Sequence, residues 1–252
     1  MLIKIKSFFC EIGHITKNKN TYHYRIMGLK FCLVIKTHFT KYPLMTYKQV
    51  YFELWSKILD LMVKDSHLTD EGLLQIINIK SAFKLGLNKN LFENFLNSKP
   101  EIKPNYNINF DLMNSQWISG FINTDGSFSL NLTKSKSKNK NMDYGIIPMI
   151  IIYQDIISLT VLESIKNYLN CGYILKPSSG RSIATLVFSN TESINKIIQI
   201  CNEIPLLGAK QRDFIDFKFA YSLYLNKEHL NSTGLNKIVK IAQGMNSGRK
   251  FD

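Results

Sequence analysis

The chain repeats itself. "CEIGHITK" at 10–17 returns as "LNCGYILK" at 169–176, and "KYPLMTYK" at 41–48 returns as "EIPLLGAK" at 203–210. "SHLTDEGLLQIINIKSAFKLG", from Ser66, returns as "EHLNSTGLNKIVKIAQGMNSG", from Glu228. The spacings agree as well. Pro43 to His67 and Pro205 to His229 are both 24 residues, and His67 to Gly72 and His229 to Gly234 are both 5. Gly13 to Pro43 is 30 and Gly172 to Pro205 is 33, a difference the size of a loop. Agreement on this many markers identifies a duplication, so the 252 residues form two related units. The proline- and asparagine-rich "NSKPEIKPNYNINF", 97–110, reads as the linker between them.

The two copies are unequal. Asp125 lies 47 residues before Gly172, and the same step back from Gly13 falls ahead of Met1. The expected organisation is a truncated first repeat over 1–96, the linker, and a complete second repeat over 111–252.

The complete repeat begins with "WISGFINTDGSFSLNL", 117–132, where the period of the apolar residues changes. Asn114 or Ser115 can cap a helix running to about Asp125, with Trp117 and Phe121 on one stripe. Ser119 and Gly120 are small enough for another helix to approach. From Ser127 the period is two: Ser127, Ser129, Asn131 and Thr133 alternate with Phe128, Leu130 and Leu132. After the charged turn "KSKSKNKN", 134–141, an apolar strand is expected around Gly145 to Tyr153 and a helix from about Ile156 to Leu169. Gly172 then opens a strand pair turning at Ser178 to Gly180. Helices follow near Thr191–Ile200, Lys210–Leu225 and Ser232–Gln243. The order αββαββα with helical additions implies an α+β unit built on one antiparallel sheet. Its inner face is apolar, and its outer face is expected to carry Ser, Asn, Thr and Lys.

Composition narrows the class of partner. Net charge is +13, and only 4 of the 32 basic residues are Arg. A surplus of that size points to a polyanion, most simply nucleic acid. Cys10, Cys32, Cys171 and Cys201 show no CxxC spacing, so they read as reduced core residues rather than a zinc site. The longest apolar run, Ile146 to Tyr153, contains Pro148 and is far shorter than the roughly 20 residues of a membrane helix. The start, "MLIKIKSFF", carries lysines in its apolar stretch and makes a poor signal peptide. Heavy use of Lys, Asn and Ile fits an AT-rich gene such as a mitochondrial one.

At "ISGFINTDG", Ile118 to Gly126, the chain resembles the LAGLIDADG homing endonucleases. "IIYQD", "IPLLGAKQRDF" and "KEHLNSTGLNKIVKIAQGMNSGR" resemble the mitochondrial intron-encoded, two-repeat branch, and the likeness covers nearly the whole chain. The resemblance implies a duplicated αββαββα fold with saddle-shaped antiparallel sheets, here with its first repeat truncated. It implies two signature helices packed together, each ending in an acid. Asp125 is that acid here, and with the carbonyl of Thr124 it would hold a divalent cation, usually Mg²⁺. Hard carboxylate oxygens suit that ion, and phosphodiester cleavage needs charge stabilised on attacking and leaving oxygens. By resemblance Lys210 is the basic active-site residue, Lys48 its first-repeat equivalent, and Gln154 a polar residue near the cut. A plainer reading has Gln154 cap an edge strand. The DNA-facing set would be Ser127, Ser129, Asn131 and Thr133, with Lys134, Lys136, Lys138, Lys176, Arg181 and Lys17 on phosphates. His67 and His229 precede helix starts at matched positions and read as structural.

Three functional readings follow. The first is a site-specific double-strand DNA endonuclease that spreads its own intron from a long, asymmetric target. The second is a maturase that binds intron RNA and needs no paired acids. The third is a relic that keeps nucleic-acid binding. The first requires a second acid. Residues upstream of Met1 would supply it in a monomer; otherwise two copies would pair through their Asp125 helices. No membrane is implied.

Overall fold

A computed structural model describes residues 1–19, 21–95, 97–106, 109–134 and 144–249. The chain divides into two compact units, Met1–Ile108 and Asn109–Asp252.

In the first unit a helix α1 (Leu2–Phe8) leads into a hairpin of β1 (His14–Asn18) and β2 (Thr21–Arg25). Three longer helices follow, α2 (Leu29–Lys41), α3 (Lys48–Val63) and α4 (Asp70–Ser81), and then the short α5 (Lys89–Asn94). α4 starts where Thr69 caps it, its Oγ1 accepting the N–H of Gly72 at 3.1 Å. Leu54, Ile79 and Ala82 form the small core between α3 and α4.

The second unit runs α6 (Ser115–Asp125), β3 (Gly126–Lys134), β4 (Tyr144–Asp155), α7 (Leu159–Leu169), β5 (Tyr173–Leu175) and β6 (Ile183–Phe188). α8 (Thr191–Glu203), α9 (Ala209–Leu225) and α10 (Ser232–Gln243) complete it. Asn114 caps α6 by accepting the N–H of Trp117 at 2.9 Å. The strands form one antiparallel sheet in the order β3-β4-β6-β5. Phe128, Ile150, Ile152, Ala184, Leu186 and Phe188 are each 0% exposed, so this inner face is a dry core. The α+β class and the order of elements agree with the sequence reading. α7 is preceded by a short 3-10 turn, Ile156–Ser158, and α8 runs one turn beyond the expected end.

The duplication is visible as a shared register. His14 pairs with Arg25 in one hairpin as Tyr173 pairs with Val187 in the other. Gly13 and Gly172 both have φ +84°, and a Cβ on either would press on the facing strand. The units differ beside that hairpin. β6 pairs with β4, whereas the same edge of β2 has no strand beside it among the described residues.

Two expectations fail here. Among the cysteines only Cys201 is core; Cys10 is exposed and Cys32 and Cys171 are intermediate, all four being free thiols. Beyond β3 the outer face of the sheet is mostly apolar, although Thr185 of β6 shares it with Tyr153 and Leu175. Across β4, β6 and β5 it presents Ile147, Tyr153, Ile183, Tyr173 and Leu175, all exposed. The long apolar run of β4 is therefore apolar on both faces, which a period-two reading of β3 alone could not show. Among the described residues no helix is long and apolar enough to cross a membrane.

Gly126 is where α6 turns into β3. A Cβ there would lie 2.5 Å from the carbonyl oxygen of Ile122 and 2.8 Å from its Cγ2. Gly120, in the middle of α6, has nothing within 4 Å of a built Cβ. Gly126→Ala should destabilise the protein by about 1–3 kcal/mol through overpacking. Gly120→Ala should be neutral or stabilising by up to about 1 kcal/mol through helix propensity. Urea unfolding of the two variants checks the contrast.

Candidate active site

α6 is held from one side by two of its own polar residues. Ser119 Oγ donates to the carbonyl of Ile204 at 2.8 Å, and Asn123 Oδ1 accepts the N–H of Leu207 at 2.6 Å. Four residues apart, they share one face of the helix and bind the segment joining α8 to α9. Ser119 is thus buried inside its own unit, against the end of α8. Gly120 does remain exposed, and Trp117 is half-buried, stacked on Phe121 with ring centroids 4.6 Å apart.

These ties decide where α9 begins, and α9 carries Lys210 in its first turn. Lys210 Nζ donates to the carbonyl of Gly126 at 2.5 Å. Burial pushes its pKa below the ordinary lysine value, while the carboxylates of Asp213 and Asp125 oppose that shift. Gln154, near the end of β4, donates from Nε2 to Asp125 Oδ2 at 2.9 Å. β4 is a central strand, so Gln154 caps no sheet edge. The structure therefore gathers a carboxylate (Asp125), a neutral donor (Gln154) and a cation (Lys210) at the α6–β3 joint. Thr124 lies in the last turn of α6, where backbone carbonyls lack an intrahelical partner; its hydroxyl donates to Phe121 O at 3.0 Å.

The other expected residues lie elsewhere. Ser127 and Ser129 are half-buried and Asn131 and Thr133 exposed along β3, with Ser129 Oγ donating to Asn131 Oδ1 at 2.8 Å. Lys134 ends that strand. Lys176 and Arg181 are exposed on the β5–β6 turn. Lys17 is exposed on β1, its ammonium 5.8 Å from the Tyr22 ring centroid. Lys48 belongs to the first unit and is exposed at the start of α3. Lys136 and Lys138 lie outside the described residues, as do Asn107 and Ile108 of the linker. Ser119 and Asn123 are the residues that sequence reasoning undervalued; their i, i+4 spacing on an otherwise apolar helix was the available signal.

The LAGLIDADG endonuclease profile matches residues 1–59 and 118–221. The chain belongs to the LAGLIDADG endonuclease family. Two Neurospora crassa proteins, "Probable intron-encoded endonuclease 3" and "Probable intron-encoded endonuclease 2", are each 28% identical to it and align with 94% and 97% of it. The chain spans about half of them, 44% and 55% of their lengths. Among solved structures, the LAGLIDADG homing endonuclease I-SmaMI bound to cleaved DNA superposes with a TM-score of 0.92 at 32% identity, covering 99% of this chain and 83% of that one. The same endonuclease has been seen on an uncleaved DNA target in the presence of calcium ions, at a TM-score of 0.90 and 31% identity. The duplicated LAGLIDADG fold is therefore shown, with Asp125 at the eighth position of the signature and Asn123 at the sixth.

The depressed pKa of Lys210 fixes the sign of a pH effect. Between its folded value and 10.5 the unfolded chain holds the extra proton, so stability rises with pH through that window. Lys210→Met should remove that rise. Urea midpoints of both proteins measured across the alkaline range below 10.5 check this.

Proposed function

We propose that this protein is a metal-dependent, site-specific double-strand DNA endonuclease encoded by a mobile intron. The observation that carries the reading is the convergence of Asp125, Gln154 and Lys210 on one joint at the edge of an exposed sheet face. Family membership and the DNA-bound neighbours support it, and the endonucleases among the relatives favour it over the maturase and relic readings.

Asp125 and the carbonyl of Thr124 suit a hard divalent cation such as Mg²⁺, which prefers oxygen ligands and keeps room for substrate phosphate. Among the described residues no cluster of three His, Cys, Asp or Glu side chains surrounds a point. A lone carboxylate fits such an ion only when phosphate oxygens and a further acid share it. The bound ion would supply Lewis acidity and lower the pKa of a coordinated water. Gln154 fixes Asp125 through one of its oxygens. Lys210 places a positive charge where a phosphodiester gains negative charge, and the burial that lowers its pKa also strengthens its field. The further acid would come from a second signature helix packed on the exposed Gly120 side of α6, in the same polypeptide or in a second copy.

β3 offers donors and acceptors to base edges, while the apolar β4–β6–β5 region suits contact with thymine methyl groups. Lys134, Lys136, Lys138, Lys176, Arg181 and Lys17 would neutralise phosphates, so affinity should fall steeply with salt. Two unequal units would read a long asymmetric target in a mitochondrial genome.

Cleavage of a plasmid carrying the intron insertion site, with Mg²⁺, tests the reading. Asp125→Asn should lower cutting by about 100-fold or more while binding survives, the scale expected for loss of a charge-stabilising group. Equal cutting by the variant would remove Asp125 from the mechanism.

A further inference from the structure

The charged cluster on α9 is not used by the mechanism above. Asp213 lies one turn after Lys210, with its side chain 5% exposed. Arg249 reaches it from beyond α10, with Nε 2.9 Å and Nη2 2.8 Å from Asp213 Oδ1, and Nη2 2.5 Å from Asp216 Oδ2. Asn246 joins from the same tail. Its N–H donates to Asp213 Oδ1 at 3.0 Å, and its side-chain amide donates to the carbonyl of Phe128 at 2.8 Å. Met245, 4% exposed, anchors the segment.

Burying a carboxylate costs several kcal/mol that its partners only partly offset, and apolar residues of similar size often serve stability as well or better. The first unit shows that the fold accepts that alternative. At the positions matching Asp213, Asp216 and Arg249 it has Tyr51, Leu54 and Leu87. Tyr51 stacks on Phe83 with ring centroids 5.5 Å apart, and Leu54 is 0% exposed. The charges are therefore not required to dock the last helix. The units differ in the sheet beside this helix, which has no counterpart of β3 in the first unit among the described residues, and in the lysine. Lys48 is exposed, whereas Lys210 is held against Gly126 O, two residues before the Phe128 carbonyl that the tail grips. Apolar packing leaves helices free to slide slightly; charge-assisted hydrogen bonds are directional and fix register.

We propose that the Asp213–Arg249–Asn246 clamp is a positioning device that locks the first turns of α9 to β3 and holds Lys210 at the α6–β3 joint. This rests on the role given to Lys210 under Proposed function, and the measurements separate the two. In full-length protein with ¹³C-labelled lysine, the Lys210 signal should be distinct. It should move toward the free-lysine position in Arg249→Ala, part-way in Arg249→Lys, and stay in Ile165→Val, a core control on α7, which packs on β4 and β6 away from α9 and α10. Arg249→Ala should lower the cleavage rate at saturating DNA about tenfold with little change in affinity, and cost nothing more in a Lys210→Met background. Should Arg249→Ala not fold, Asn246→Ser, which loses the reach to Phe128 O, is read in the same way. An unmoved Lys210 signal in Arg249→Ala (or Asn246→Ser), or an additive rate loss in the double variant, overturns the proposal. A shifted signal with Lys210→Met cutting at the native rate upholds the clamp and removes the assigned role of Lys210.

Discussion

Gly126 has no side chain, and the second unit depends on that. The carbonyl of Ile122 occupies the space a Cβ would need, so α6 can stop and β3 begin within one residue. The last residue of the helix, Asp125, is then held at the mouth of the sheet rather than on a loop. A carboxylate at a helix C-terminus is opposed by the helix dipole. Here the Gln154 amide and the Lys210 charge offset that opposition. The ties made by Ser119 and Asn123 serve the same joint, because they fix the segment from which α9, and hence Lys210, departs.

The two units show how one sequence pattern supports different degrees of commitment. Their hairpins share register and their matched glycines share φ. The second unit has a dry two-layer core because β4 and β3 extend the sheet under α9, with Phe128 between Phe214 and Phe217 at 5.5 Å from each. In the first unit the residues matching those two phenylalanines, Phe52 and Trp55, pack on each other with centroids 6.0 Å apart, and among the described residues no strand lies along the outer edge of β2. The same helix positions therefore meet different neighbours. That is why Lys48 and Lys210, identical by spacing, differ in burial.

Element order in the second unit, the start of α6 and the alternation of β3 were legible because each follows from local rules. Asn114 sits at the N-cap of α6, the apolar period changes at Ser127, and Gly172 opens the second strand pair at a positive φ. The outer face of the sheet was misjudged because β4 is apolar on both faces, and alternation in one strand says nothing of its neighbour. Ser119 was read from its smallness alone, which says nothing of a polar tie. Its hydroxyl finds a carbonyl at the end of α8, 85 positions away in sequence.

By itself the sequence determined that this is a duplicated α+β chain with one complete signature, an acid at its eighth position and a strongly basic surface. Those properties are periodicities, spacings and counts, and survive without coordinates. Only the tertiary structure decided that Gln154 and Lys210 meet at Asp125, that Asn123 ties α6 to the approach of α9, and that Arg249 buries Asp213. Each of those is a contact between residues far apart along the chain. Its geometry is set by how the helices pack on the sheet, which no local pattern encodes.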